Sequence, residues 1–587
     1  MAIVQAVKLL RQLWPWVRPY RRYLIVGGSL SILSVLINLS VPILTSRIID
    51  DGIGADDTSF VVRTAVVMVG LIVFGMLSSA AGSVMGVTLA FHTVTDMRRD
   101  VYNKVQHLSF GNLDRLTSGE LLTRLTSDIT KVTQLIGMAV SFAIQIPISF
   151  IGALAAIVLI DVSLVPIVFV MLPVIGVIVW YVIIRSNILY DLVQSRIDRL
   201  NTVLQENIQG AEVIKAFVRQ DYEVERFDEA ASDLATDATT VNQLVASLFP
   251  TLILVSSLGI SAVLWIGGGN VIDGDLTQGE LVAFIQFMAF VVMPMMFFAF
   301  LQPMISAASA SMARIGEVID EAPDVVPAAE GAELSHDAPA DIEFDHVSFQ
   351  YNNEAELGTD CALRDVTLRI EGGTKVAILG ATGSGKSSLV NLIPRFYDTT
   401  SGTVRVGGVD VRKLSKSSLR RFVGIALQQP YLFSGTVAET LRFARPDATD
   451  AEIIAAAKDA QAHSFIMEMP DGYESKVEQG GSNLSGGQRQ RLTIARTLLV
   501  NPRVLIFDDS TSAVDLETEA NIQEVFESLD GVTVILVAQR ISTALGADEI
   551  IVLDDGHVAA HGTHERLLAE SEIYQEIYQS QLGEPVG

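Results

Sequence analysis

A short glycine-rich stretch carries the residues whose types and spacing point most directly to chemistry. Gly380 is followed after four residues by Gly385, Lys386 and Ser387, between an apolar run that predicts a strand and a run that predicts a helix. Glycines let backbone N–H groups surround phosphate oxygens at a helix N-terminus, the lysine reaches the terminal phosphates, and the serine hydroxyl can bind Mg²⁺. We therefore predict a nucleotide-binding P-loop formed by Gly380, Ala381, Thr382, Gly383, Ser384, Gly385, Lys386, Ser387 and Ser388.

A second apolar run, residues 504–508, ends in the carboxylate of Asp508. Strands often end in aspartate at a turn, so this feature alone would indicate little. Beside a P-loop, however, an aspartate at the end of a buried strand suits the Mg²⁺ that accompanies the nucleotide. We therefore predict that Ser387 and Asp508 contribute to one Mg²⁺ site.

Between these two motifs, residues 483–491 read Asn-Leu-Ser-Gly-Gly-Gln-Arg-Gln-Arg. This is another glycine-assisted helix start, where Ser485 and the N–H groups around Gly487 offer an anion site. The run resembles the signature of ABC transporters. The resemblance implies that Ser485, Gly486, Gly487 and Gln488 face the ATP held by the opposite domain of a dimer, so that two chains enclose each nucleotide.

Other landmarks of the ABC transporters follow in the family's order. The resemblance implies that Tyr351 stacks on adenine, that Gln428 contacts Mg²⁺ and senses the membrane domain, and that residues 512–515, ending in Asp515, form the D-loop. Glu478 resembles the glutamate of an exporter-specific loop, although Val477 replaces the usual preceding glycine. ATP and Mg²⁺ are the implied cofactors.

Two positions depart from the family pattern. Asp509 stands where the family has the glutamate that polarises the attacking water, and Gln539 stands where it has a histidine. Aspartate is shorter by one methylene, and a misplacement of about 1 Å can cost on the order of 100-fold in rate. Glutamine can bond a phosphate oxygen but cannot carry an imidazolium charge. We therefore predict a site that binds ATP with little hydrolysis.

Since the signature would act on the ATP of the opposite domain, its intact sequence indicates a partner chain whose ATP site it completes. The pattern resembles heterodimeric ABC exporters, where one composite site hydrolyses ATP and the other mainly holds it. The expected partner is a second half-transporter with the usual glutamate and histidine. The alternative is that both substitutions are tolerated in an active homodimer.

The elements that would position these motifs are indicated by composition. The chain has 587 residues, of which 50% are hydrophobic and 18% charged, with a net charge of −26 and one cysteine, Cys361. A general affinity for nucleic acid is excluded because phosphate binding needs a basic surface, and an intrachain disulfide needs two cysteines. The apolar excess lies before about residue 310, which predicts a membrane part followed by a soluble α/β part.

Six apolar stretches are long enough to cross a bilayer, since a span needs about 20 residues. A basic, tryptophan-containing segment precedes them; it predicts an amphipathic helix on the membrane surface and no cleavable signal peptide. Positive charge concentrates in the N-terminal segment and in two long connections, so both termini are expected in the cytoplasm of a multi-pass cell-membrane protein. The predicted spans are residues 23–46, 64–91, 137–160, 163–184, 244–268 and 280–303.

The two long connections have helical patterns, which predicts that the membrane helices continue into the cytoplasm. Residues 110–118 and 209–217 are the candidate tips, and the resemblance favours a coupling role for them over plain surface turns. The sixth span is rich in methionine and phenylalanine, which suits either a lipophilic substrate path or ordinary helix packing.

The predicted fold class is an all-α six-helix ABC exporter membrane domain joined to a cytoplasmic α/β P-loop NTPase domain, for which the resemblance implies antiparallel β and helical subdomains. The predicted segments are an N-terminal elbow helix (1–22), a transmembrane domain with two cytoplasmic extensions (23–321), a linker (322–340) and a nucleotide-binding domain (341–587).

The leading functional hypothesis is a heterodimeric exporter of lipophilic compounds that lies in the lipid bilayer. Drugs, lipids or peptides are its possible cargo. An importer on the same scaffold, for example for siderophores, and a non-transporting ATP-gated regulator or channel stay open. A soluble ABC ATPase is excluded by the six spans and the acidic surface.

Overall fold

The computed structural model describes residues 2–328, 331–351, 361–509 and 516–582, with side chains except at 2–7, 139–141, 295–296, 298–302, 516 and 582. The chain divides into two compact units. The helical unit contains Met1–Gln106 and Ser118–Asp320, and the sheet unit contains His107–Thr117 and Glu321–Gly587. The predicted position 515 lies outside the described residues.

Among the described residues, six long helices dominate the helical unit. Five of the six predicted spans lie within one of them, and the span 163–184 begins two residues before the helix Val165–Gln209. The longest helix has 54 residues, about 80 Å at 1.5 Å per residue, whereas a bilayer core is about 30 Å thick. The helices therefore continue beyond any membrane they cross. The unit comprises α1 (Ala2–Val17), α2 (Arg21–Arg47), α3 (Thr58–His107), α5 (Ser118–Thr123), α6 (Ile129–Ile160), α7 (Val165–Gln209), α8 (Ala211–Ala216), α9 (Gln220–Asp273) and α10 (Gln278–Asp320), while α4 (Phe110–Arg115) belongs to the sheet unit.

In the part of the chain that the structure describes, five helical stretches are long and apolar enough to cross a membrane: Lys8–Ile53, Thr58–His107, Ser118–Ile160, Val162–Gln209 and Gln220–Asp273. In α10 the described apolar stretch is shorter, Gln278–Pro294. Many large apolar side chains on these helices face outward, for example Trp265, which is 85% exposed. An exposed apolar surface of this kind is expected of helices that contact lipid.

The helices pack closely where small residues allow it. A Cβ atom added at Gly152 of α6 would lie 2.4 Å from Leu39 Cδ1 of α2. Near the start of α6, the carboxylate of Asp128 is 1% exposed, and it accepts hydrogen bonds from Ser311 Oγ (2.8 Å) and Arg314 Nε (2.9 Å) of α10. This ion pair fixes α6 against α10, because the buried Asp128 carboxylate would be unstable without a partner, whereas the Arg314 side chain is 42% exposed.

Short helices occupy both predicted cytoplasmic tips. The first tip contains α4, and α8 lies at the second. In the second tip, Val213, Phe217 and Val218 are 60%, 73% and 79% exposed.

In the sheet unit, α4 is fastened to the segment that follows α10. Asn112 is fully buried; its Nδ2 donates to Glu321 Oε1 (2.8 Å) and to the carbonyl of Ala322 (2.9 Å), and its Oδ1 accepts from the N–H groups of Ser109 (3.0 Å) and Asp324 (3.1 Å). Arg115 forms ion pairs with the same two carboxylates, Glu321 and Asp324. Residues 107–117 therefore belong structurally to the sheet unit, although they connect helices of the other unit.

A six-stranded sheet forms the centre of this unit, in the order β12-β11-β3-β10-β9-β6. Its strands are parallel except β12, which is antiparallel to β11. Strands β3, β9 and β10 are buried at every residue, as expected of parallel strands covered on both faces. The strands are β3 (Lys375–Leu379), β6 (Val423–Ala426), β9 (Val504–Asp508), β10 (Thr533–Val537), β11 (Glu549–Asp554) and β12 (His557–Gly562).

A separate antiparallel sheet has the order β2-β1-β4-β5, and β7 pairs with β8. These strands are β1 (Ile342–Phe349), β2 (Leu363–Ile370), β4 (Ser401–Val406), β5 (Val409–Asp410), β7 (Gly435–Thr436) and β8 (Lys476–Val477). The helices are α11 (Lys386–Leu392), α12 (Lys416–Phe422), α13 (Val437–Arg442), α14 (Asp450–Asp459), α15 (His463–Glu468), α16 (Gly486–Leu499), α17 (Leu516–Glu527), α18 (Ile541–Ala544), α19 (His564–Glu570) and α20 (Glu572–Leu582). The predicted fold class, with antiparallel β and helical parts around a P-loop core, is confirmed.

The described residues of the predicted linker 322–340 contain no helix and no extended strand. They are nevertheless held to the sheet unit, because Ala332 forms a β-bridge with Leu414 and the Leu334 N–H donates to Ser418 Oγ at 2.8 Å.

Candidate functional site

The P-loop connects buried strand β3 to helix α11. Gly380, Gly383 and Gly385 have φ values of 149°, 87° and 100°, in the region that favours glycine. A Cβ at Gly380 would lie 2.2 Å from the carbonyl oxygen of Leu553, and one at Gly385 would lie 2.5 Å from that of Ala362. Only glycine fits at these two positions, and the resulting turn exposes backbone N–H groups at the start of α11.

Lys386 lies inside this turn. Its Nζ donates to the carbonyl oxygens of Gly380 (2.9 Å) and Ala381 (2.8 Å). Burial lowers the pKa of the Lys386 ammonium, and the carboxylates of Asp508 and Asp509 oppose that shift. The ammonium is therefore held where terminal phosphate oxygens would lie.

Ser387 and Asp508 meet at the predicted Mg²⁺ position, where Ser387 Oγ donates to Asp508 Oδ1 at 3.1 Å. Asp508 is 4% exposed, and burial raises the pKa of its carboxyl. Among the described residues, no group of three His, Cys, Asp or Glu side chains could hold a metal alone. A hydroxyl and a carboxylate beside a phosphate pocket suit Mg²⁺, which prefers oxygen ligands and usually completes its shell with water and phosphate.

These residues line one cavity of about 280 Å³. The predicted Tyr351, Gln428, Asp509 and Gln539 lie in its wall, so the structure brings together residues that are up to 188 positions apart in sequence. The full lining is Tyr351, Ala362, Thr382, Gly383, Gly385, Lys386, Ser387, Ser388, Gln428, Asp508, Asp509, Val537 and Gln539. Gly380, Ala381 and Ser384 complete the turn behind this wall. The sequence analysis missed Ala362 and Val537, because an apolar side chain carries no motif signal.

Tyr351 stands at the side of the cavity, 48% exposed. Its hydroxyl hydrogen bonds with Ser388 Oγ at 2.9 Å, and its ring makes edge contacts with Phe349 and Tyr397 at centroid distances of 4.8 and 5.3 Å. An exposed aromatic face supported from behind suits stacking against a planar base.

The two departures from the family pattern contact each other. Gln539 Nε2 donates to Asp509 Oδ2 at 2.9 Å. Asp509 has a φ of 49°, which is unusual for a residue with a side chain. Burial raises the pKa of its carboxyl, although a hydrogen bond with Gln428 and the charges of Lys386 and Arg540 act the other way. The Asp509 carboxylate is thus hydrogen-bonded within the chain by both Gln539 and Gln428.

The signature residues are placed elsewhere. Ser485 is exposed at the N-terminus of α16; its Oγ accepts from the Gln488 N–H (3.2 Å), and its own N–H donates to Gln488 Oε1 (2.9 Å). Ser485, Gly486, Gly487 and Gln488 are not among the described residues that line the nucleotide cavity. Within one chain, therefore, the structure does not join the signature to the P-loop.

The P-loop sheet unit and the multi-span helical unit together define an ATP-driven membrane transporter of the ABC class. Residues 24–295 match the family described as the ABC transporter transmembrane region, and residues 363–512 match the family described as ABC transporter. The chain belongs to the ABC transporters, as a half-transporter that fuses one transmembrane region to one nucleotide-binding domain, and it is a multi-pass membrane protein.

Curated relatives cover nearly the full length. The chain is 36% identical to the uncharacterized ABC transporter ATP-binding protein YfiB of Bacillus subtilis, over 97% of this chain and 98% of that protein. It is 33% identical to the putative multidrug export ATP-binding/permease protein YgaD of Bacillus subtilis, over 97% and 99%. A solved bacterial Atm1-family ABC exporter with ATP bound superposes with a TM-score of 0.78 at 25% identity, covering 96% of this chain and 100% of that one. The chain has the exporter fold.

Proposed function

We propose that this chain is one subunit of a heterodimeric ABC exporter. Its own P-loop holds Mg²⁺-ATP with little hydrolysis, and its signature completes the hydrolytic site of an unlike partner chain. The observation that carries the proposal is the hydrogen bond from Gln539 to Asp509. It couples the two substituted positions and restrains one oxygen of the short carboxylate that stands in place of the water-orienting glutamate.

The binding half of the site is supported by the residues that remain. Bound Mg²⁺-ATP supplies the phosphoanhydride bond and the cation that neutralises charge during phosphoryl transfer. Lys386 and the P-loop N–H groups hold the phosphates, Ser387, Gln428 and Asp508 hold the cation, and Tyr351 stacks on adenine. None of these roles needs a glutamate at 509 or a histidine at 539. The site can therefore bind Mg²⁺-ATP even though it activates the attacking water poorly.

The export half of the proposal rests on charge, apolar surface and similarity to an export protein. Positive charge in the cytoplasmic connections supports a cell-membrane location with both termini inside. The segments in this proposal are the elbow 1–22, the transmembrane domain 23–321, the linker 322–340 and the nucleotide-binding domain 341–587. The exposed apolar residues of the second tip offer a surface for the partner's nucleotide-binding domain. Lipophilic compounds are the proposed cargo, and uptake into inverted vesicles tests the direction.

Purification of the chain from its native membrane tests the assembly. We expect a second half-transporter, with glutamate and histidine at its own catalytic positions, in a one-to-one ratio. A homodimer with brisk ATPase activity would contradict the proposal.

Changing both substituted residues tests the site itself. In the assembled complex, the double variant Asp509→Glu/Gln539→His is expected to raise ATP hydrolysis at this chain's own site by on the order of tenfold or more, because it restores the base and the histidine that contacts phosphate. Each single variant should give much less than half of that gain, since the remaining residue still mismatches its neighbour. Additive small effects, or no gain, would mean that these residues do not limit hydrolysis.

The signature is tested with a matched pair of capping variants. Ser485→Ala should reduce ATPase activity of the complex by about tenfold or more, because it removes both a helix cap and a contact to the partner's ATP. Thr449→Ala removes the same kind of capping box at α14, away from the signature. Equal loss in the two variants would indicate a folding effect only.

A further inference from the structure

The helical unit encloses a second cavity, of about 270 Å³, between α2, α6 and α10. Its walls are mainly apolar and include Phe290 and Met293 of α10. Phe142 of α6 stacks on Phe297 of α10 with ring centroids 4.8 Å apart. All of these residues lie within the spans predicted from sequence, so the cavity is at membrane depth.

Two amide side chains interrupt this apolar lining. Asn38 of α2 and Gln145 of α6 both face the cavity and are half-buried. Neither side chain has a hydrogen-bond partner among the described residues, whereas the third polar side chain, Ser149, donates to the carbonyl of Ile146 at 3.0 Å. Polar groups inside a membrane are costly and generally have a partner. Two amides directed at one cavity therefore indicate that the partner is whatever occupies it.

The absence of charged side chains among the described lining residues limits which molecules the cavity can bind. None of the described residues that line the cavity is Asp, Glu, Lys, Arg or His. A cationic or anionic group entering this space would lose its hydration without gaining a counter-ion. Each amide instead offers both N–H donors and a carbonyl acceptor. The lining therefore suits a molecule that is neutral and has its own donor and acceptor.

We propose that this cavity binds an uncharged lipophilic molecule bearing both a hydrogen-bond donor and an acceptor, such as a secondary amide. Asn38 and Gln145 hold the polar group, and Phe142, Met293 and Phe297 hold the apolar body. This inference rests on the proposed export function and deepens it by naming the substrate class: neutral amphipathic compounds bind in preference to lipophilic cations.

Equilibrium binding to the purified full complex in lipid nanodiscs tests whether neutral compounds bind in preference to cations. Protein-free nanodiscs measure how much of each probe partitions into lipid, and this amount is subtracted. The probes are radiolabelled benzanilide, a neutral secondary amide, and tetraphenylphosphonium, a lipophilic cation. Benzanilide is expected to bind at least about tenfold more tightly, because only it can pair with the amides without carrying a charge. Equal or tighter binding of the cation would overturn the proposal.

The role of the two amide side chains is tested by changing the ligand and by changing the protein. Phenyl benzoate, which has the shape of benzanilide but no N–H donor, should bind the unchanged complex about tenfold more weakly. The near-isosteric variants Asn38→Leu and Gln145→Met should each weaken benzanilide binding and remove its advantage over the ester. Ser149→Ala is the control, expected to stay within about twofold because its hydroxyl already bonds within α6.

The ligand-side comparison needs no variant, so it decides the question even where a substitution prevents folding. Benzanilide and phenyl benzoate binding alike to the unchanged complex would overturn the proposal. Binding is measured independently of subunit composition and hydrolysis. A heterodimeric complex without a preference for benzanilide would refute the proposal about the cavity and leave the proposed assembly standing. A homodimer that shows the preference would refute the proposed heterodimer and leave the cavity proposal standing.

Discussion

At the scale of single residues, the nucleotide site of this chain is a set of buried polar groups that hold one another. Asp508 is almost fully buried, and among the described residues Ser387 is the side chain that donates a hydrogen bond to it. Burial therefore makes the ionised carboxylate costly until a cation arrives, and the raised pKa of Asp508 expresses that cost. Nearby, the Gln539 side chain donates a hydrogen bond to the Asp509 carboxylate.

Asp508→Asn should separate stability from binding. A carboxyl with a raised pKa binds its proton more tightly in the folded protein than in the unfolded chain, so its stabilising effect is present at low pH and is lost as pH rises through the folded pKa. The neutral amide removes this dependence, and we expect a higher melting temperature near neutral pH without nucleotide. Stabilisation by Mg²⁺-ATP should be lost, as measured by thermal unfolding.

Asp530→Asn is the matched control, an exposed aspartate outside the nucleotide site. It should leave both the melting temperature and the Mg²⁺-ATP response unchanged. In the unchanged protein, Mg²⁺-dependent nucleotide binding should weaken as pH falls toward the raised pKa of Asp508, because protonated Asp508 is a poor Mg²⁺ ligand. Mg²⁺-dependent binding retained in Asp508→Asn would refute the metal role.

At the scale of elements, the short helix α4 is fastened to the sheet unit by a polar clasp and an aromatic contact. Asn112 and Arg115 bond the acidic segment that follows α10, and Phe110 stacks on Phe396 at 4.3 Å. Tyr397 donates to Asp114 at 2.7 Å while its ring contacts Tyr351 of the nucleotide cavity. A continuous line of contacts thus runs from the predicted adenine-stacking residue to α4, which supports the coupling role proposed for this tip.

Asn112→Ala should release α4 from this clasp. The change leaves the buried N–H group of Ser109 and the part-buried N–H group of Asp324 without an acceptor, at a cost of about 2 kcal/mol. Hydrogen exchange of residues 107–117 should then accelerate by about 30-fold. Leu113→Ala, on the exposed side of the same helix, controls for helix propensity. Equal exchange in the two variants would show that the clasp does not hold α4.

At the scale of the whole molecule, the orientation in the membrane remains the proposal with the widest consequences. The long helices and the exporter fold make the chain a multi-pass membrane protein, and the charge of its connections predicts which ends are inside. Cys361 is the only cysteine, so a background free of cysteine needs one substitution, Cys361→Ser.

In that background, single cysteines report topology directly. Ala55→Cys, in the exposed turn between α2 and α3, should react with a membrane-impermeant maleimide in intact cells. Ser118→Cys, at the end of the first tip, is exposed in the structure but should react only after the membrane is opened, because the proposed topology places it on the cytoplasmic side. The reverse pattern of labelling would invert the proposed topology.

Much of this architecture follows from sequence patterns with a local physical cause. The P-loop depends on glycine spacing, and the buried strands depend on apolar runs such as residues 504–507. The long helices depend on apolar stretches of bilayer length, and each predicted span lies inside one of them to within two residues. The tips were located to within a few residues because helical periodicity breaks at their ends, although helix α4 stops at Arg115, before the predicted end at 118.

By itself, therefore, the sequence determined the two kinds of domain, the nucleotide motifs and the two departures at Asp509 and Gln539. Tertiary structure alone decided that these two side chains bond each other, that α4 belongs to the sheet unit, and that Asn38 and Gln145 share one cavity. The reason is that motifs and periodicities arise from neighbouring residues, whereas these contacts join residues between 30 and more than 200 positions apart, and only the packing of whole elements brings such residues together.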